Sequence, residues 1–362
     1  MIPYISPEFT FSQLVKAIIH RKKEFQEFYR KTSEEGAKSI YIREKQRYAL
    51  ADFLNDVGMN NQRVLVPAFT CRSVADAVRE ANAIPVYYDI TPNLEVDLVS
   101  IEKAAKDGVE AIIVSDIYGK HMDIYDWLDS LVERPVVIGD FAHHDEIRLT
   151  DVNRPYFDVV MYSSAYYKPM RSMGFGLLCL LTDKVQVKDS ILISTSIVSA
   201  TFGTLKIWLT SILLKSFLFN TVYKLIQLIN KKIHVVDVFD SKRPANIAAF
   251  SQYIRSSVPD KKERNLIAEY YKKMLPSLTA ISGGGNETYY SVLIEPDIRN
   301  NLHKEALKQG VFLGNIISDI ACTDEKECPN AMYLSKRITN LPFLCCINKY
   351  KKVTTIIKRL IN

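Results

Sequence analysis

The chain has 362 residues, 48% of them hydrophobic and 24% charged, a balance that excludes a disordered or low-complexity protein. Its 47 basic and 41 acidic residues leave a net charge of +6, too small and dispersed for a nucleic-acid surface, though it suits an anionic substrate. Six cysteines (Cys71, Cys179, Cys322, Cys328, Cys345, Cys346) without CxxC spacing, and a start without a signal-peptide pattern, lead us to expect reduced thiols in the cytoplasm.

Residues 1–38 predict an N-terminal helical arm, with Phe11, Leu14, Val15, Ile18 and Ile19 at helical spacing. Residues 39–240 then alternate: helix 46–57, strand 63–66, helix 72–81, strand 84–88, helix 98–106, strand 111–114, helix 124–131, and strands 136–138, 158–162 and 177–181. Short apolar runs alternating with helices predict an α/β three-layer sandwich with a mainly parallel sheet. An apolar helical insert covers 191–230. Within it, Lys206, Lys215 and Lys224 interrupt the stretch from Thr204 to Ile229, so no run approaches the roughly 20 residues of a membrane span. At about 100° per residue the lysines fall on opposite sides of a helix, which spoils a clean amphipathic face. The insert reads as helices packed in the core or a subunit interface, with a peripheral membrane or partner contact through 204–229 as the alternative. Residues 241–362 predict a smaller C-terminal α+β domain. Its elements are helices 246–254 and 261–274, a flexible Ser282-Gly283-Gly284-Gly285 connection, strand 289–294, helix 301–309, short strand 311–314 and a final helix 350–360.

Two residues carry the chemistry. Asp140 ends the run Val136-Val137-Ile138-Gly139, and Lys168 follows the run Asp158-Val159-Val160-Met161-Tyr162. Open α/β sheets bind ligands beyond the carboxyl ends of their strands, so a carboxylate and an amine are aimed at one pocket. That pairing suits pyridoxal 5'-phosphate, which needs a lysine for a Schiff base and an acid beside its ring nitrogen. The plain readings are a surface lysine and a helix-capping aspartate. Against the first stand Pro169, the aromatic neighbours Tyr166 and Tyr167, and Gly174 and Gly176, which allow close backbone approach. The run Asp140 to Glu146 has the look of a metal cluster, but adjacent histidines point apart and no third ligand has a sensible spacing, so no metal is expected. His143, three residues after Asp140, can reach the same pocket and donate to a phenolate oxygen. Gly283-Gly284-Gly285 lacks dinucleotide-fingerprint spacing, and no GxSxG, HExxH or phosphate-loop motif occurs.

Further segments bear on family. Arg47-Tyr48-Ala49-Leu50 leads to Val64-Leu65-Val66-Pro67-Ala68-Phe69-Thr70-Cys71, and Pro85-Val86-Tyr87-Tyr88-Asp89-Ile90-Thr91-Pro92 follows. Then come Ile117-Tyr118-Gly119, Asp140-Phe141-Ala142-His143, Cys328-Pro329-Asn330-Ala331 and Thr339-Asn340-Leu341-Pro342. In order and spacing they resemble the DegT/DnrJ/EryC1/StrS family of nucleotide-sugar aminotransferases, over most of residues 40–360. The resemblance implies the fold type I architecture of pyridoxal-phosphate-dependent transferases and a homodimer with shared active sites. It further implies amino transfer, with glutamate as donor, to a nucleotide-diphospho keto-deoxysugar. The product would serve envelope polysaccharide (lipopolysaccharide, O-antigen) or an amino-sugar metabolite. Carried over by position, Lys168 would hold the cofactor and shuttle the substrate proton, Asp140 would keep the ring nitrogen protonated, and His143 would contact the phenolic oxygen. Ser163 would bind the phosphate, Cys71 would cover a ring face, and Arg47 and Tyr48 would open the helix that receives the phosphate.

Two departures stand out. The family's glycine-containing pair at that helix start is here Gln46-Arg47; a glutamine hinders close approach of a phosphate, while an arginine offsets this electrostatically. The glycine-rich turn after the lysine is reduced to Gly174-Phe175-Gly176. They keep two alternatives open: a dehydratase or another reaction of the same cofactor, and a catalytically degenerate binding or membrane-associated partner. The retained Lys168 argues for amino transfer. Arg243 and Asn246 resemble a family helix start and receive no role.

Overall fold

The computed structural model describes residues 2–3, 9–149, 156–215, 239–256, 260–283, 287–317, 319–343 and 350–361. Eight strands form the central sheet, in the spatial order β4 (Ile84–Tyr88), β3 (Arg63–Pro67), β5 (Ala111–Ser115), β6 (Val136–Asp140), β7 (Val159–Ser164), β8 (Phe175–Leu180), β2 (Ser39–Arg43) and β9 (Ser190–Ile191). The five strands from β4 to β7 run parallel, while β8 is antiparallel to both of its neighbours. Every residue of β5, β6, β7 and β8 is buried, as a sheet covered on both faces requires. The period of two divides these residues between separate cores. Ala111, Ile113, Val136 and Ile138 pack with α2 (Gln46–Asp56) and α3 (Arg72–Glu80), whereas Ile112, Val114 and Val137 pack on the opposite side with Trp127, Phe28 and Phe250. This is the three-layer α/β sandwich expected from the alternation.

Helix α1 (Phe11–Glu34) starts with a capping box, in which Thr10 and Gln13 each accept from the other's amide. It sets Phe25 and Phe28 against Phe250 of the helix Ile247–Arg255. Strand β2, five buried residues just past the arm, has no place in the sequence reading, because Ser39-Ile40-Tyr41-Ile42-Arg43 is short and bounded by charged residues instead of turn signals. The insert yields one described helix, α6 (Ile197–Lys215); residues 216–238, with Lys224, lie outside the described residues. Ile207 of α6 is buried beside Phe9 and Leu14, whereas Val198, Phe202, Leu205, Leu209 and Ile212 are exposed. No described helix is long and apolar enough to cross a membrane.

The C-terminal part contains a three-stranded antiparallel sheet of β12 (Thr279–Ser282), β13 (Tyr290–Leu293) and β15 (Ile338–Leu341), flanked by helices Lys261–Met274, Pro296–Lys308, Pro329–Arg337 and Tyr350–Ile361. It is α+β as expected. The helix expected at 301–309 begins instead at Pro296, where the missing amide hydrogen of a proline is no loss. Short parallel pairs join β1 (Ile2–Pro3) to β14 (Val311–Phe312) and β10 (Ile193–Ser194) to β11 (Ala245–Asn246). Gly283 closes β12 with a φ of 128°, while Gly284 and Gly285 lie outside the described residues, as do Cys345 and Cys346. The four described cysteines are free thiols.

Candidate active site

The carboxyl ends of β5, β6 and β7 carry Ser115, Asp140 and Ser163-Ser164, so the parallel register delivers four polar residues to one crevice. The Asp140 carboxylate is buried. Its Oδ1 accepts from Gln46 Nε2 at 2.7 Å and from the Ala142 amide at 3.1 Å; among the described residues its Oδ2 receives only a long 3.3 Å bond from the Ser115 hydroxyl. Burial pushes the Asp140 pKa up, against the Gln46 hydrogen bond and the charge of Lys168.

Lys168 sits in a loop tied from within. Its amide donates to the Ala165 carbonyl at 3.1 Å, and the Ser164 hydroxyl bonds the Met170 carbonyl and Ser172. Burial pushes the Lys168 amine down, with Asp140 and then Cys71 pulling the other way. The amine makes no hydrogen bond or ion pair with any described residue.

His143 is oriented by an unusual backbone. Tyr118 adopts a left-handed φ of 60°, and its amide donates to His143 Nδ1 at 3.0 Å. Nε2 therefore carries the ring hydrogen, and it has no hydrogen-bond partner among the described residues. The Tyr118 ring lies parallel to the imidazole and Tyr289 meets it edge-on, while the Thr288 hydroxyl donates to the His143 carbonyl at 2.5 Å. Burial first, then the charges of Lys168 and His144, lower the His143 pKa to about 3. The imidazole is a neutral donor. His144 points elsewhere, its Nε2 lying 3.0 Å from Asp116. Burial alone would raise the Asp116 pKa, but bonding to His121 and His144 outweighs it and lowers the value.

Two chambers meet at Lys168. The first, about 320 Å³, is lined by Asp140, His143, Cys71, Thr70, Ser115 and Tyr289. The second, about 410 Å³, is lined by Lys45, Arg47, Ser163 and Lys206. Gln46, Ser73, Tyr167 and Lys168 border both. Between them stands the start of α2, which Lys45 leaves without a side-chain cap and whose first turn has no acid. The pair of buried Arg43 with half-buried Asp52, at 2.5 Å, ties β2 to α2. Gly176 permits close seating, since a Cβ there would collide with the backbone of Lys45 and Gln46.

Six of the seven expected site residues thus border the chambers: Lys168, Asp140, His143, Ser163, Arg47 and Cys71. Tyr48 borders neither. Its ring packs edge-on against Phe239 and carries the Arg47 and Lys45 cations at 5.3 and 5.7 Å from its centroid. Asn246, left without a role, caps its own helix by accepting from the Ala248 amide. The sequence reading missed Gln46 as the hydrogen-bond partner of Asp140, and missed Ser115 and Thr70 behind it. The place of Ser115 at a strand's carboxyl end was a usable signal, the same one that marked Asp140.

The family model of the DegT/DnrJ/EryC1/StrS aminotransferase family matches residues 48–144, a span that includes Cys71, Asp140 and His143 and stops short of Ser163 and Lys168. The resemblance read from the motifs holds over that segment. No curated protein matches the sequence. Among solved structures, the chain is similar to Helicobacter pylori PseC, an aminotransferase involved in the biosynthesis of pseudoaminic acid, at 11% identity over 99% of this chain and 98% of that one, with a TM-score of 0.70. It is similar to the sugar aminotransferase CalS13 from Micromonospora echinospora at 14% identity over 99% and 100% of the two chains, with a TM-score of 0.67. NtdA from Bacillus subtilis, solved with bound cofactor PMP, matches at 15% identity over 98% and 83%, with a TM-score of 0.65. Likeness at these identities shows the fold.

Proposed function

We propose that the chain is a pyridoxal-phosphate-dependent sugar aminotransferase of the DegT/DnrJ/EryC1/StrS family, moving an amino group from glutamate to a keto-deoxysugar carried on a nucleotide diphosphate. The observation that carries this reading is the amine of Lys168, desolvated and unbonded among the described residues, at the junction of a chamber with a buried carboxylate and a chamber with the Ser163 hydroxyl and several basic side chains.

The residues fit the cofactor group by group. Lys168 provides the amine for covalent attachment, and its lowered basicity keeps more of it neutral and nucleophilic. Asp140 Oδ2, engaged among the described residues only by a 3.3 Å bond, has acceptor capacity for a protonated ring nitrogen. The Nε2 hydrogen of His143 suits a phenolic oxygen. Ser163, 8% exposed and with no hydrogen-bond partner among the described residues, suits the phosphate together with the uncapped start of α2. Cys71 borders the ring chamber as a small, soft neighbour. When bound, pyridoxal phosphate supplies an electron sink for the carbon that gains or loses the amino group. Lys168 then moves the proton at that carbon as general base and acid, and Asp140 keeps the ring nitrogen protonated. By the same resemblance the working unit is a cytoplasmic homodimer, and its product feeds envelope polysaccharide or an amino-sugar metabolite.

The test is a pair of half-reactions. Adding pyridoxal phosphate to the purified protein should create a visible absorption band, glutamate should bleach it, and one member of a panel of keto-sugar nucleotides should restore it. A band that glutamate leaves untouched would contradict the assigned donor, and the absence of any band would contradict the enzyme.

A further inference from the structure

We infer that Lys206, on α6, supplies the positive charge for the cofactor's phosphate at the place where Gln46-Arg47 departs from the family's glycine-containing pair. The inference rests on the cofactor reading above and adds a residue from an element with no part in it.

The second chamber is lined by four basic side chains, Lys45, Arg47, Lys168 and Lys206, against one carboxylate, Glu44, which faces Arg243 at 3.9 Å. Such a wall calls for an anion. A second observation points the same way: Ser163, 8% exposed, borders the chamber with a hydroxyl that has no hydrogen-bond partner among the described residues. The cations are not equivalent. Lys168 is committed to the carbonyl end of the cofactor, and Lys45 and Arg47 lie over the Tyr48 ring. Lys206 makes no ion pair, hydrogen bond or ring contact with any described residue.

Its position is fixed by its helix. Gln252 accepts from the Met173 amide at 2.8 Å and donates to the Thr204 hydroxyl at 2.9 Å, bridging the loop after Lys168 to α6 two residues before Lys206. Gly203 lies so close to the Met173 side chain that a Cβ would collide with it, and Ile207 is buried. The Gly203, Thr204 and Ile207 contacts of α6 and the bridging glutamine thus hold Lys206 against the chamber. Lysine binds phosphate as a point charge and needs no planar geometry, so a helix arriving from outside the α2 cup can serve.

The experiment compares Lys206→Ala, Lys206→Arg and the unaltered protein by titration with pyridoxal phosphate and with pyridoxal, which lacks the phosphate, reading binding from the visible band and from protein fluorescence. Lys206→Ala should weaken pyridoxal phosphate about tenfold, the size of one charge-assisted contact at a partly exposed site, and should leave pyridoxal unchanged. Lys206→Arg should retain most of the affinity. Thermal unfolding of the cofactor-free variants should match the unaltered protein, since Lys206 is exposed. Unchanged pyridoxal phosphate affinity in Lys206→Ala, or an equal loss for both compounds, would overturn the inference alone. Failure of the unaltered protein to bind either compound would overturn the cofactor reading and this inference with it.

Discussion

The chamber around Asp140 and His143 and the chamber around Ser163 and Lys206 share Lys168 and Gln46, yet their walls are made differently. In the first, the functional groups are held by short hydrogen bonds from fixed neighbours: Asp140, at a strand end, by Gln46 Nε2 and the Ala142 amide, and His143 by the amide of a left-handed Tyr118. In the second, charge arrives on long side chains from the α2 start, the loop after β7 and α6. A proton transfer loses rate when its groups are misplaced by about 1 Å, whereas a phosphate dianion responds to any nearby cation. Under the proposed function, a change of residue is therefore better tolerated at Gln46-Arg47 than at Asp140 or His143.

Changes in the first chamber should therefore abolish chemistry, and changes in the second should weaken binding. Lys168→Ala should lower transamination by roughly 10²–10⁴-fold and remove covalent attachment. Because burial disfavours its charge, the cofactor-free variant should unfold at no lower temperature, which calorimetry would check. Asp140→Asn should cost on the order of 10²-fold in rate. Burial raises the Asp140 pKa, so its ionised form costs folding stability that appears as pH rises above the ordinary carboxylate range; the asparagine variant should gain stability relative to the unaltered protein as pH rises above about 4. Gly176→Ala should destabilise by about 1–3 kcal/mol through overpacking. By displacing the α2 start, it should also weaken pyridoxal phosphate more than pyridoxal. The smallest effect belongs to His143. With its pKa at about 3, it should stay neutral with the hydrogen on Nε2 across roughly pH 5–8, visible in nitrogen NMR of the ring, and a titration in that range would break the account of the first chamber.

How much of this was legible follows the same division. Strand ends announce themselves, because a polar residue closing an apolar run in a parallel sheet has one direction to face, and Asp140, Lys168 and His143 could be read on that ground. The bridging role of Gln46 could not, since a helix-start glutamine looks like an obstacle until the register of α2 against β6 brings it to Asp140. Motif position alone places Tyr48 in the site, but one helical step turns its ring toward Phe239. In the sequence Lys206 is one of three lysines interrupting an apolar stretch; only the packing of Gly203 and Thr204 shows which cavity that face of α6 borders. Strand β2 lacked turn signals, and pairing with β8 decides its state.

The central claim is that the amine at the junction of the two chambers carries the cofactor. The most direct measurement is borohydride reduction of the protein incubated with pyridoxal phosphate, followed by proteolysis and mass spectrometry of the peptides. The account predicts one reduced adduct on the peptide containing Lys168, at a stoichiometry of one per chain, lost in Lys168→Ala and retained in Lys206→Ala. An adduct on another lysine, or spread over several, would contradict it.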